Sequence, residues 1–185
     1  MFDLQSFAML YEIFAPGFIT VHRRKQLALW ADKLNKPVQD QPILKLSFSN
    51  AWYAGFIDAE GWFTARMRTC KTSRYGLSLE LSFEVSQKDP DILVKISQLF
   101  QLKKPQVYYD KSWRDRFCLG HAEKQNLIDT YLKRFQLKTS KKQSFETWAE
   151  ILHLKHLKTH LPYGKDHEPV LELTEHYHKI NQKLV

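Results

Sequence analysis

The chain has 185 residues, 43% of them hydrophobic and 14% aromatic. That is enough for one medium folded domain with appendages and too apolar for a disordered chain. A formal net charge of +8 favours a polyanionic partner. The two cysteines, Cys70 and Cys118, have no CxxC or Cys/His spacing, so they support neither a zinc site nor a disulfide framework. No apolar run approaches the roughly 20 residues of a membrane span.

Residues 1–15 are apolar in part but lack the basic start, arginine richness and cleavage pattern of a targeting segment. Pro16-Gly17 predicts a turn, and residues 22–35 a basic amphipathic helix with Leu27, Trp30, Ala31 and Leu34 on one side. Residues 36–48 carry Pro37 and Pro42 without any period and read as a linker. An apolar helix follows at about 49–60, entered through a cap at Ser49 or Asn50, with Gly61 as a left-handed stop. Two strand-like runs, 62–71 and 77–86, are joined by a turn at 72–76. Phe63, Ala65 and Met67 alternate with Thr64, Arg66, Arg68 and Cys70. Leu77, Leu79, Leu81, Phe83 and Val85 alternate with Ser78, Glu80, Ser82 and Glu84. This period of two predicts an antiparallel pair with one face on a core and one free.

Asp89-Pro90 opens a helix with Ile92, Leu93, Ile96 and Leu99 at helical spacing. A shorter hairpin fits 105–120, turning at 111–115. Helices are expected at 121–135, at 141–158 and, after a hinge at 161–164, at about 168–183. The order from 49 to 158 is α-β-β-α-β-β-α-α, an α+β fold with a four-stranded antiparallel sheet and helices on one face.

Two features of the 49–60 helix are unusual for a core helix. Ala54, Gly55 and Ala59 sit among large apolar residues and would let another backbone come close. Asp58 and Glu60 crowd the last turn, where the helix dipole disfavours an anion by about 0.3–1 kcal/mol each, so a cation nearby is expected. An internal echo also stands out. Residues 24–34 (RKQLALWADKL) align with 142–152 (KQSFETWAEIL), matching Leu27 with Phe145 and Trp30 with Trp148. The acidic helix and its hairpins occur once. The expected organisation is a remnant resembling the end of a preceding unit (1–35), a linker (36–48), one whole unit (49–160) and a helical extension (161–185).

Tyr53-Ala54-Gly55-Phe56-Ile57-Asp58-Ala59-Glu60-Gly61 resembles the signature of the LAGLIDADG homing endonucleases. The following hairpin, the run Ser82-Phe83-Glu84-Val85-Ser86-Gln87-Lys88 and the Lys141-Lys142-Gln143 helix start extend the resemblance over about 49–158. It implies that two such helices pack together through Ala54, Gly55 and Ala59, from two subunits or two halves of one chain. It further implies that Glu60, with the Ala59 carbonyl, holds Mg²⁺ over a scissile phosphate, a cation suited to few carboxylates plus phosphate and water oxygens. Asp58 is expected to cap the motif rather than bind metal. Gln87 matches the residue that organises water, and either Lys141 or Lys142 the basic residue near the phosphate.

The free face of the first hairpin would enter the major groove of a duplex. Thr64, Arg66, Arg68, Cys70, Ser78, Glu80, Ser82 and Glu84 would read base edges, with Lys88 at the strand end. Val107, Tyr109, Lys111, Arg114, Arg116 and Cys118 would extend the surface. The resemblance leaves three readings open: a homodimeric endonuclease cutting duplex DNA, half of a split enzyme, or a domesticated, non-cleaving binder of structured RNA. The last would be an intron maturase or a component of an organellar RNA–protein particle such as a ribosome. A mitochondrial or chloroplast location follows from the resemblance alone. The histidines lack ligand spacing and read as surface residues.

Overall fold

The computed structural model describes residues 4–19, 21–35, 45–72, 76–102, 107–111, 116–120, 124–157 and 167–183. Its elements are α1 (Leu4–Phe14), a 3-10 turn (Ala15–Gly17), α2 (Val21–Lys33), α3 (Trp52–Glu60), β1 (Gly61–Thr69), β2 (Leu77–Gln87), α4 (Pro90–Leu99), β3 (Val107–Asp110), β4 (Arg116–Gly120), α5 (Gln125–Arg134), α6 (Lys141–His156) and α7 (His167–Lys183). The expected α-β-β-α-β-β-α-α order is therefore present from α3 to α6. The four strands form one sheet in the order β1-β2-β4-β3, antiparallel throughout.

The alternation along β1 and β2 does what its period predicts. Phe63, Ala65, Leu79, Leu81, Phe83 and Val85 are buried, while Arg66, Arg68 and Glu80 are exposed. Helices α3 to α7 contribute Tyr53, Ile57, Ile92, Leu93, Ile96, Ile128, Tyr131, Trp148, Ile151 and Tyr177 to the same core cluster, so they cover one face of the sheet. Helix α4 starts where Asp89 accepts the Asp91 N–H at 3.0 Å and Pro90 fills the first turn. Helix α7 packs on α6 and β1, burying Thr174 and Tyr177.

Residues 36–44 of the expected linker lie outside the described residues, but its end is part of the core. Leu46 and Phe48 pack on the cluster, and the Phe48 ring meets Phe100 and Tyr131 edge-on at 4.8 and 5.6 Å. Helices α1 and α2 share a separate small core of Tyr11, Ala15, Leu27 and Ala31. The two echoed tryptophans differ in setting. Trp148 is fully buried 5.5 Å from Phe63 of the sheet, whereas Trp30 is half-buried against Phe18. The expected hinge at 161–164 lies outside the described residues. No described helix is long and apolar enough to cross a membrane.

Candidate active site and free sheet face

Helix α3 is entered through Asn50, whose side-chain oxygen accepts the Trp52 N–H at 3.1 Å. Further into the first turn, the Ala54 N–H goes to the Tyr131 hydroxyl at 3.0 Å, and that hydroxyl donates to the Asn50 carbonyl at 2.8 Å. Tyr131 thus ties both strands of chain at the helix start to α5. Ala54 is consequently buried, which corrects its expected place on the free face of α3. The exposed small residues are Ala51, Gly55 and Ala59, spaced four apart and so on one side of the helix. A Cβ placed on Gly55 would meet nothing within 4 Å. Trp52 and Phe56, stacked at 5.4 Å, border this stripe, and the Trp52 indole donates to the Gly17 carbonyl at 2.7 Å.

Gly61 is not a left-handed stop. Its φ of −80° and ψ of 154° are extended, so the chain passes from α3 into β1 without a turn residue. Glycine is required there for space: a Cβ would lie 2.7 Å from both Ile57 Cγ2 and Ile57 O. This direct passage, with Gly61 opposite Val85, sets Glu60 beside the end of β2. Gln87 Nε2 donates to Glu60 Oε1 over a long 3.4 Å, while Gln87 Oε1 accepts the Lys88 N–H at 2.9 Å and fixes the amide's orientation. Both side chains are half-buried.

The two lysines separate. Lys141 is half-buried and donates from Nζ to the Ile57 carbonyl at 3.4 Å, placing a cation at the C-terminal end of α3. Lys142 is exposed, pairs with Glu146 at 3.8 Å, and lines a cleft of about 330 Å³ with Leu132, Gln136 and His153. It therefore leaves the set of residues gathered at Glu60. Asp58 is tied to the α5–α6 connection through Lys138 and Thr139, as expected of a capping acid.

The donor chemistry fits Mg²⁺ in part. Glu60 offers a hard carboxylate oxygen, and Ala59 sits in the last turn, where helix carbonyls lack internal donors. No group of three or more His, Cys, Asp or Glu able to hold a metal occurs among the described residues. A complete coordination sphere would need oxygens from outside this chain.

On the free face, the β1–β2 register pairs Trp62 with Glu84, Thr64 with Ser82, Arg66 with Glu80 and Arg68 with Ser78. Thr64 and Ser82 share a hydrogen bond between hydroxyls. Arg68 reaches diagonally to Glu80 at 3.0 Å, with both side chains half-exposed, an ion pair worth about 0.2–1 kcal/mol and easily exchanged for another partner. Cys70 Sγ lies 3.3 Å from Thr72 Oγ1, and Lys88 and Lys111 are exposed at the margins. Tyr108 donates to Glu84 at 3.1 Å, so Tyr108 belongs to the free polar face of the sheet. Val107 packs against the core, and Tyr109 alternates with Tyr108, which corrects their expected place on the reading face. Arg116 and Cys118 pair by register with Asp110 and Tyr108; their side chains, and all of Arg114, lie outside the described residues. Trp62, 38% exposed beside the motif, and Tyr108 were missed from sequence. Trp62 could have been found, because it shares the parity of Thr64 and Arg66.

A helix with a close-approach stripe ending in a carboxylate, running straight into a four-stranded sheet with one polar face free, defines a LAGLIDADG unit. The family described as LAGLIDADG endonuclease matches residues 53–152, and the chain belongs to it. It is also similar to a Neurospora crassa protein named "Probable intron-encoded endonuclease 4", 27% identical over 97% of this chain and 33% of that protein. The chain thus spans about one third of the length of that curated relative. Among solved structures, the homing endonuclease I-TnaI aligns with a TM-score of 0.60 at 21% identity, covering 76% of this chain and 97% of its own. The archaeal intron-encoded homing endonuclease I-Vdi141I, complexed with DNA, aligns with a TM-score of 0.60 at 20% identity, over 72% and 84%. Meganuclease I-SmaMI, bound to DNA, gives 0.57 at 18%, over 74% of this chain and 48% of its own.

Proposed function

We propose that this chain supplies one half of a nuclease that hydrolyses duplex DNA, its second acid-bearing helix coming from another unit packed on α3. The observation that carries this is the exposed Ala51–Gly55–Ala59 stripe ending at Glu60. Small residues leave nothing to hold two helix backbones apart, so a facing motif would bring a second carboxylate close to the first. The second unit comes from a second copy or from a split partner.

In this reading the free face of β1 and β2 lies in the major groove. Arg66 and Arg68 would pair with guanine edges, and Glu80 and Glu84 would accept from cytosine amino groups. Glu60, with the Ala59 carbonyl, would hold Mg²⁺, which when bound supplies phosphate polarisation and a more acidic water. Gln87, its amide orientation set by Lys88, would hold the attacking water next to Glu60. Lys141 would lend positive charge to the phosphate as negative charge builds on it.

Purified protein with Mg²⁺ and a randomised duplex library should yield specific double-strand cuts that Glu60→Gln abolishes. Absence of cutting together with a monomeric mass would overturn the homodimeric form, and a companion chain that co-purifies would identify the split one. A second reading, a non-cleaving binder of structured RNA, is favoured by the exposed Trp62 and Tyr108, since unpaired bases stack on aromatic rings. It predicts tight RNA binding that Glu60→Gln leaves unchanged. The intron-encoded description of the Neurospora crassa relative, a fungal protein, supports an organellar setting, the mitochondrion, for either activity.

A further inference from the structure

We propose that Asp58 and Thr139 form a clasp that positions Lys141, rather than Lys142, at the end of α3; this rests on the cleavage reading above. Asp58 stands in the last turn of α3, where the dipole opposes an anion. Both of its oxygens are nevertheless engaged. Oδ2 accepts the Lys138 N–H at 2.7 Å, and Oδ1 accepts the Thr139 N–H at 3.3 Å and the Thr139 hydroxyl at 2.6 Å. Thr139 Oγ1 in turn accepts the Lys141 N–H at 3.3 Å. The carboxylate therefore lies at the N-terminal end of α6, whose first N–H groups have no partners within the helix. Ser140, the residue in the capping position, makes no side-chain cap bond; the Lys141 N–H is met instead by the Thr139 hydroxyl, which Asp58 holds in place from α3. The dipole of α6 favours the charge that the dipole of α3 disfavours.

The clasp fixes where α6 begins. Successive helix residues differ by about 100° in direction at 3.6 residues per turn, so the two lysines keep their separate directions only while the first turn of α6 stays helical. With the clasp closed, Lys141 points back to the Ile57 carbonyl and Lys142 to Glu146. The body of α6 is held independently by buried Phe145, Trp148, Ile151 and Leu152. Loss of the clasp would loosen the first turn and leave the fold standing. Asp58 is thus a positioning residue that acts through Lys141.

Two measurements on the full chain test this. In the first, the relative rates of reductive methylation at Lys141 and Lys142 are read by mass spectrometry. Wild type should protect Lys141. Asp58→Asn, which turns amide donors toward the N–H groups, and Thr139→Val should bring the two rates together, while Thr139→Ser should keep them apart. Unchanged protection in both disruptive variants would overturn the clasp, whether or not the protein cuts DNA. In the second, cleavage at saturating duplex should fall roughly tenfold to a hundredfold in Asp58→Asn, with DNA affinity kept within about twofold. In a Lys141→Ala background, Asp58→Asn should cost nothing more, because the two changes break one linkage. Equal losses in both backgrounds would sink the role of Asp58 through Lys141. A wild type that cuts no duplex would instead refute the homodimeric nuclease reading and leave the methylation result standing.

Discussion

Two glycines of one motif should respond with opposite sign to the same change. At Gly61, the Cβ of Gly61→Ala would sit 2.7 Å from Ile57 Cγ2, 2.7 Å from Ile57 O and 3.1 Å from Ile57 Cα. The extended φ of −80° suits any residue, so no backbone strain enters. The obstacle is main chain, and it is pinned: the Ile57 carbonyl accepts both the Gly61 N–H and the Lys141 ammonium. Forcing a methyl into such a site costs about 1–3 kcal/mol, offset by about 0.4–1 kcal/mol of lost unfolded-state freedom. At about 2–4 °C per kcal/mol for a chain of this size, Gly61→Ala should melt below wild type by up to about 10 °C. Gly55, exposed in the helix interior with nothing within 4 Å, should behave otherwise. Gly55→Ala removes a residue that costs a helix about 0.5–1 kcal/mol and should raise the melting temperature of the isolated unit. Scanning calorimetry on samples shown to be monomeric by sedimentation reads both. A Gly61→Ala protein melting at or above wild type would refute the close-approach argument for the α3–β1 junction.

Gly55→Leu should leave the fold intact yet abolish association with the second unit in sedimentation equilibrium; undiminished association would exclude α3 as the contact. Tyr131→Phe unpairs the buried Ala54 N–H and the Asn50 carbonyl, and chemical denaturation should report a loss of about 1–3 kcal/mol. Burial holds the Tyr53 and Tyr131 phenols protonated above their ordinary value of 10.0. Their contribution is therefore complete below pH 10 and lost as the pH rises beyond it, where the unfolded chain releases protons that the fold retains. Stability should fall more steeply above pH 10 in wild type than in Tyr131→Phe, as denaturation series across that range would show. Arg66→Ala should weaken binding to the preferred duplex by about 1–3 kcal/mol and relax the preference at one base pair; an equal loss on every sequence would mean that Arg66 touches only phosphate.

The sequence made the hairpin and its faces legible because β1 and β2 are long enough for a period of two to repeat several times. The capping pair Asp89-Pro90 and the motif at 53–61 were legible for the same reason: their residue types have few other uses. Helix α3 was harder. Its nine residues are apolar on nearly every side, so small size alone could not tell that Ala54 faces Tyr131 while Ala51 faces out. Strand β3 has four residues, too few for alternation to decide between Tyr108 and Tyr109. The choice between Lys141 and Lys142 depended on where α6 starts, which a partner 80 residues earlier in the chain decides. Neighbours that distant leave no local pattern.

Strand β2 carries more than its share of the molecule. Its odd-numbered residues, Leu79 to Val85, fill the core, and the even-numbered ones, Ser78 to Glu84, face outward, with Gln87 at its end beside Glu60. Mutational drift can therefore act on the outward set without disturbing the packed set or the terminal glutamine. Under the proposed function, a lineage could rewrite its sequence preferences through these four outward positions, each change tested for recognition alone. Folding and chemistry would be inherited unchanged through every such shift. Two-residue periodicity would make this strand, on the proposed function, a natural unit of evolutionary retargeting.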